Sequence, residues 1–235
     1  MRKTIFGLIL TLSLNAHADF FTPFDAHYEL RKGSIKAAVA HVSLRRSDNE
    51  FTYKSFSETA GIVSLFRGDT ITEISRWHLD KNKNVIAKNY KYIHMRGKSR
   101  KKYKAVDFDW SKRIAHMEFK HRKADVPIKA GALDEFSLQI AMMRDLKNKR
   151  KQLEYWIVEK GELRHYHFAI LGTEKVETPA GVYETVKLKR IRKTNKRVTY
   201  MWCAPSLRYL PVKIMHIEKD GSAFTMRLNK YKTGI

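Results

Sequence analysis

Apolar residues recur at every second position along most of this chain, and polar turns interrupt them about every 8–12 residues. That rhythm suits strands with one face buried and one face wet, hydrogen-bonded to their sequence neighbours as an antiparallel meander. "AHYEL" and "AAVAHVSL" read as a first hairpin turning at Lys32-Gly33-Ser34, and "FTYKSFSET" follows after the "RSDNE" turn. "GIVSLFRGD" is a short apolar segment ending in a Gly-Asp turn. "TITEISRWHL", "VIAKNYKYIHM", "KKYKAVDFDW" and "RIAHMEFKHR" continue the series. Strands resume at "QLEYWIVEKG" and run through "ELRHYHFAILG", "TEKVETP", "GVYETVKLKRIRK", "KRVTYMWCAP", "LPVKIMHIEKD" and "SAFTMRLNKYK".

One segment breaks the period. "GALDEFSLQIAMMRDLKNK" sets Phe136, Ile140 and Met143 on one helical face, with Leu133 and Leu146 near the ends. Asp134 stands where an N-cap accepts from first-turn amides, and Lys147, Lys149 and Arg150 suit the negative end of the helix dipole. The expected fold is mainly β: a long antiparallel, curved open sheet or half-barrel with one inserted helix near residues 133–147. Two smaller sheets, before and after that helix, are the alternative. No repeat, low-complexity linker or composition break divides the chain, so residues 19–235 read as a single β-rich domain.

The first eighteen residues are of another kind. Met1-Arg2-Lys3 precedes the apolar run "IFGLILTLSL", and Ala16-His17-Ala18 makes an A-x-A cleavage site. This is the layout of a secretory signal peptide cleaved after Ala18, and the run is about half of the ~20 residues a membrane-spanning helix needs. A periplasmic protein is therefore expected. Cys203 is the sole cysteine, so no intrachain disulfide can form; it reads as a small buried apolar residue.

Charge is the strongest compositional signal. Lys and Arg number 47 against 24 Asp and Glu, a formal net charge of +23; loss of Arg2 and Lys3 with the leader leaves +21. Such a field draws polyanions. Beyond the inner membrane these are anionic lipid, lipopolysaccharide or acidic glycan, and export disfavours nucleic acid as partner. "MRGKSRKKYK" concentrates the charge at a hairpin tip, where Arg96, Lys98, Arg100, Lys101 and Lys102 are the candidate anion contacts. Tyr90, Tyr92 and Tyr103 interleave with the charges, a mixture that fits a lipid headgroup layer and allows peripheral membrane contact. "KLKRIRKTNKR" is a second basic tip.

Signals for catalysis are weak. There is no G-x-S-x-G, P-loop, dinucleotide fingerprint or H-E-x-x-H motif. His165 and His167 share a strand face in a geometry that can hold zinc, but no third ligand lies nearby in sequence. Neither a metal nor a cofactor is expected, nor an enzyme. In "TITEISRWH", Ile71, Glu73, Ser75 and Trp77 share a face; if it is internal, Glu73 must be paired or its pKa raised. Alternation alone does not say which face is buried.

"GIVSLFRGDTITEISRW", "TPAGVYETVKL" and "MWCAPSLRYLPVKI", taken in order with the helix "LDEFSLQIAMMRDL", resemble the exported bacterial family catalogued as domain of unknown function 3108. The resemblance runs from about Phe24 to Lys230. It implies a periplasmic, strand-rich protein akin to the half-barrels of periplasmic lipoprotein carriers, and it transfers no catalytic residue. The functional expectation is a binding or carrier module for an anionic amphiphile or envelope glycan. Glu73, Trp77, Tyr90, Tyr92 and Trp110 are the candidate ligand-binding residues. An envelope assembly factor binding protein or peptidoglycan, and an envelope polymer hydrolase, are the alternatives.

Overall fold

The computed structural model describes residues 20–234, apart from 67, 120, 193, 195 and 196. The expected leader, and part of the second basic tip, lie outside the described residues. Eight strands come first: β1 (Phe24–Lys32), β2 (Ile35–Ser47), β3 (Glu50–Thr59), β4 (Asp69–Leu79), β5 (Val85–Arg96), β6 (Ser99–Asp109), β7 (Ile114–Phe119) and β8 (Arg122–Pro127). A short helix α1 (Ile62–Phe66) interrupts them between β3 and β4. The two-residue β9 (Ala132–Leu133) leads into helix α2 (Ser137–Lys147). Then come β10 (Leu153–Glu159), β11 (Glu162–Thr178), β12 (Gly181–Ile191), β13 (Val198–Ala204), β14 (Leu210–Ile217) and β15 (Ala223–Thr233).

Both halves belong to one sheet of fifteen strands, ordered β8-β7-β6-β5-β4-β3-β2-β1-β15-β14-β13-β12-β11-β10-β9. The first and last long strands join the two meanders, from Phe24 opposite Thr233 to Lys32 opposite Phe224. All pairings are antiparallel except the short β9–β10 ladder. The sheet is open: among the described residues no ladder joins its two ends. It nevertheless curls until they touch. The Gly161 amide, in the β10–β11 turn, donates to Met117 Sδ at 3.2 Å. Val158 and Ala132 share a buried cluster with Tyr90, Val106 and Met117 from the opposite end of the sheet.

Helix α2 fills the inside of the curl. Ile140, Ala141, Met142, Met143 and Leu146 are buried against residues of β1, β3, β4, β10 and β12. Asp134 holds its start: Oδ1 accepts the Phe136 and Ser137 amides, both at 2.8 Å. Oδ2 accepts hydroxyls from Ser137 at 2.7 Å and from Ser75 of β4 at 2.8 Å. The N-cap is Phe136 and not the expected Asp134; from two residues earlier, Asp134 ties the helix start to the sheet. At the other end Arg144 donates to Asn84 Oδ1 at 3.1 Å and pairs with Asp145 at 2.7 Å.

The structure departs from the sequence reading at three further places. "GIVSLF" contains a second helix, α1; five residues are too few to reveal a helical period. "ELRHYHFAILG" and "TEKVETP" are one long strand, β11, with a register shift between Ile170 and Gly172 absorbed by Gly172 at φ +122°. "RKADVP" adds the strand β8 after the expected pair. Pro211 is the second residue of β14, as the strand reading of "LPVKIMHIEKD" has it. It sits opposite Cys203 where the β13–β14 register shifts, so the missing N–H interrupts no regular ladder, and its carbonyl accepts from Tyr28 Oη at 3.0 Å.

Candidate functional site

The alternation of β4 maps directly onto the interior of the curl. Asp69, Ile71, Glu73, Ser75 and Trp77 all face inward. Asp69, Ile71 and Glu73 line a cavity of about 560 Å³, within the range of small-molecule sites. Its walls are mainly apolar: Leu30, Ala38, Ala40, Val42, Ile71 and Met226. Alanines on β2 make the space, since larger side chains at the same inward positions would fill it. Phe136 and Gln139, at the start of α2, close the inner end. Phe136 stacks on Tyr53 with centroids 4.2 Å apart, and Gln139 Nε2 donates to Tyr53 Oη at 2.6 Å.

Glu73 is the charged group set deepest in that wall. Tyr90 Oη donates to its Oε1 at 2.7 Å. Burial pushes the Glu73 carboxyl above its ordinary range; the Tyr90 hydrogen bond opposes this, and the nearby Glu135 reinforces it. Glu135 is itself pushed up by burial and pulled down by Lys104, with which it forms a tight ion pair. The Lys104 ammonium also lies 5.2 Å from the Tyr92 ring centroid. Glu73, Tyr90, Tyr92, Lys104 and Glu135 thus form a connected polar layer between the apolar cavity and the next pocket along the sheet.

That second pocket, of about 580 Å³, carries opposite charge. Arg100, Lys101, Lys102 and Lys104 of β6 line it with His121 and Lys160, beside Glu118 and Glu159. Strands β5 and β6 carry both spaces along one face: His94, which lines the apolar cavity, is registered opposite Lys102, which lines the basic pocket.

The mouth of the apolar cavity is built by α1, whose Val63 lines it. Three side chains of α1 point into solvent: Ile62 is 62%, Leu65 79% and Phe66 82% exposed. Ile35, at the β1–β2 tip, is 51% exposed. Hydrogen bonds hold α1 at this end of the sheet. The Ala60 amide donates to Ala37 O at 3.0 Å, and the Gly97 amide donates to Gly68 O at 3.1 Å. The second bond places the Arg96–Arg100 tip directly beside the apolar helix.

The sequence-derived candidates therefore part company. Glu73 lines the cavity, Tyr90 is its hydrogen-bond donor, and Tyr92 stands beside them. Trp77 is fully buried, stacked on Phe51 at 4.2 Å, and does not line the cavity. Trp110 is remote, donating to Ala87 O at 2.7 Å near a third pocket. Arg100, Lys101 and Lys102 share the basic pocket. Arg96 instead pairs with Asp69 at 2.8 Å, and Lys98 is exposed in the turn. Asp69, His94, Phe136, Gln139, Lys104 and Glu135 were missed. Extending the face of Glu73 by four residues finds Asp69, and extending that of Tyr92 by two finds His94; nothing local signals the others. Cys203 is buried and its thiol is pushed up to about 12 by burial, which leaves it protonated and unreactive near neutrality.

The residues of the segments that carry the family resemblance hold the scaffold together. Asp134, Ser137 and Arg144 anchor α2, as described above. In "TPAG", Thr178 Oγ1 accepts the Ala180 amide at 3.2 Å and donates to Gly181 O at 3.0 Å, closing the β11–β12 turn. Among the described residues no helix is long and apolar enough to cross a membrane.

A Brucella abortus protein, described as beta-barrel-like and of domain of unknown function DUF1849, superposes with a TM-score of 0.59. The two share 8% identity over 92% of this chain and 99% of that one. A Bacteroides fragilis protein of YmcC-like fold aligns over 91% of this chain and 99% of its own, at 11% identity and a TM-score of 0.43. No curated protein matches the chain. Neither the fold nor the family brings a sign of catalysis. The model of the family described as "Protein of unknown function (DUF3108)" matches residues 24–229, and the chain belongs to that family.

Proposed function

We propose that this protein is an exported carrier that holds an anionic amphiphile in the apolar cavity and exchanges it at a membrane surface. The observation that carries the proposal is the placement of the cavity. A largely apolar space of about 560 Å³ opens beside a solvent-exposed apolar helix, next to a basic hairpin tip. An apolar tail would lie along Leu30, Ala38, Ala40, Val42 and Met226. The basic pocket, next along the sheet beyond the Lys104–Glu135 pair, offers its anionic head Arg100, Lys101 and Lys102. Ile62, Leu65 and Phe66 would enter the headgroup–acyl boundary, while Lys98 and Arg100 meet anionic headgroups. The leader peptide and the excess of basic residues support the same setting, the periplasm.

Solvent extraction of the purified protein followed by mass spectrometry tests this. An amphiphile recovered in stoichiometric amount, together with flotation on vesicles containing anionic lipid, is the expected result. Absence of any bound amphiphile, with no displaceable binding of a fluorescent fatty acid, would remove the carrier reading.

A further inference from the structure

On the outer face of the sheet, opposite the cavity, the fold supplies the ligand that sequence neighbours do not. We propose that Glu154, His165 and His167 form a binding site for a divalent transition metal of the Zn²⁺ class. Strands β10 and β11 pair with Glu154 opposite His167 and Trp156 opposite His165, so all four side chains occupy one outward patch. The inward residues between them, Tyr155 and Tyr166, are buried.

The ligand atoms stand close enough to share one ion. Glu154 Oε1 stands 3.3 Å from His167 Nδ1, and Oε2 stands 3.3 Å from His165 Nε2. Two ligands on a tetrahedral zinc, each bonded at about 2.0–2.1 Å, stand about 3.3–3.4 Å apart. The three ligand atoms all lie within 4.8 Å of one another. The ring that must turn its nitrogen inward is also held: His165 stacks flat on Trp156, with centroids 4.0 Å apart and planes 2° from parallel. Lys129, a cation against this patch, is engaged on the Trp156 ring, its Nζ 3.2 Å from the centroid. Two imidazoles and one carboxylate leave a fourth position for water or for a ligand from another molecule, the arrangement of an open rather than a closed zinc site.

Titration calorimetry of the metal-free protein with zinc chloride at pH 7.5 tests the assignment. One saturable site per chain is expected. Glu154→Gln, His165→Ala and His167→Ala should each weaken binding about tenfold or more, as ligand-shell losses do. X-ray absorption on the zinc-loaded protein should show two imidazole nitrogens. The residues are outward, so the variants should melt with the metal-free parent. No saturable binding by about 100 µM zinc would overturn the proposal. So would binding indifferent to the three substitutions, or binding abolished instead by His41→Ala in the stacked His27–His41 pair beside Asp25.

Discussion

Tyr90 Oη donates to Glu73 Oε1 at 2.7 Å, inside a sheet that has curled around the pair. Burial raises the carboxyl of Glu73 above its ordinary value of 4.5. The folded state therefore holds the Glu73 proton more tightly than the unfolded chain. The stabilisation this gives is complete below the unfolded value and is lost as pH rises through the raised one. Glu73→Gln removes the titration while keeping the shape. The variant should gain thermal stability over the parent at pH 8, and the gap should close toward pH 4.5. Melting curves across that range decide it; a gap constant with pH would mean that Glu73 ionises as it does in the open chain.

Asp134 gathers four donors at the start of α2: two backbone amides, the Ser137 hydroxyl and the Ser75 hydroxyl of β4. Asp134→Ala strands all four in a buried place. Loss of the hold on the helix start and of the buried hydrogen bonds should cost about 2–4 kcal/mol. Urea midpoints measure this. Asp134→Asn keeps an acceptor oxygen and should recover part of the loss.

How much of this the sequence disclosed depends on the range of the interaction. Strands showed themselves through alternation, because one buried face is enough to print a period of two. The hold of Asp134 on the helix start showed itself because its donors lie two and three residues away, though the N-cap itself is Phe136. The inward direction of the Glu73 face did not, since alternation pairs Glu73 with Trp77 but leaves the side open; only the position of α2 inside the curl settles it. Glu154 and the His165–His167 pair meet through strand register, and Lys104 meets Glu135 across the curl. Such contacts leave no local trace. Trp77 was read as a surface for ligand because an aromatic on the face of an acid suits that role. The structure spends it on packing against Phe51 instead.

Gly161 marks the seam where the curl closes. Its φ is +84°, and a Cβ there would stand 3.0 Å from Phe119 Cε1. Gly161→Val combines backbone strain with that clash and should lower stability by about 1–3 kcal/mol. The damage should be local: amide exchange should accelerate in β7 and β8 before the rest of the sheet. Uniform loss of protection would mean the seam is not a separate unit.

Leu65 and Phe66 have little to lose by truncation in the folded protein, being 79% and 82% exposed. Leu65→Ser with Phe66→Ser should shift stability by no more than about 0.5 kcal/mol. If α1 enters a membrane, each apolar side chain contributes about 1.5–3 kcal/mol to association, so vesicle affinity should fall by at least about a hundredfold for the pair. Flotation on anionic vesicles reads this directly. Unchanged flotation would separate α1 from the membrane role.

Ala40 controls the cavity rather than its chemistry. It faces Tyr28 across the β1–β2 ladder and lines the apolar wall. Ala40→Phe would extend a ring into the space an acyl tail would take, and the existing void should receive it with little of the usual overpacking cost of about 1–3 kcal/mol. The expected outcome is loss of fluorescent fatty-acid binding at near-parent thermal stability, with vesicle flotation intact because α1 and the basic tip are untouched. A variant that still binds the probe as the parent does would place the ligand elsewhere, and the basic pocket lined by Lys102 and Lys104 would be the next position to block.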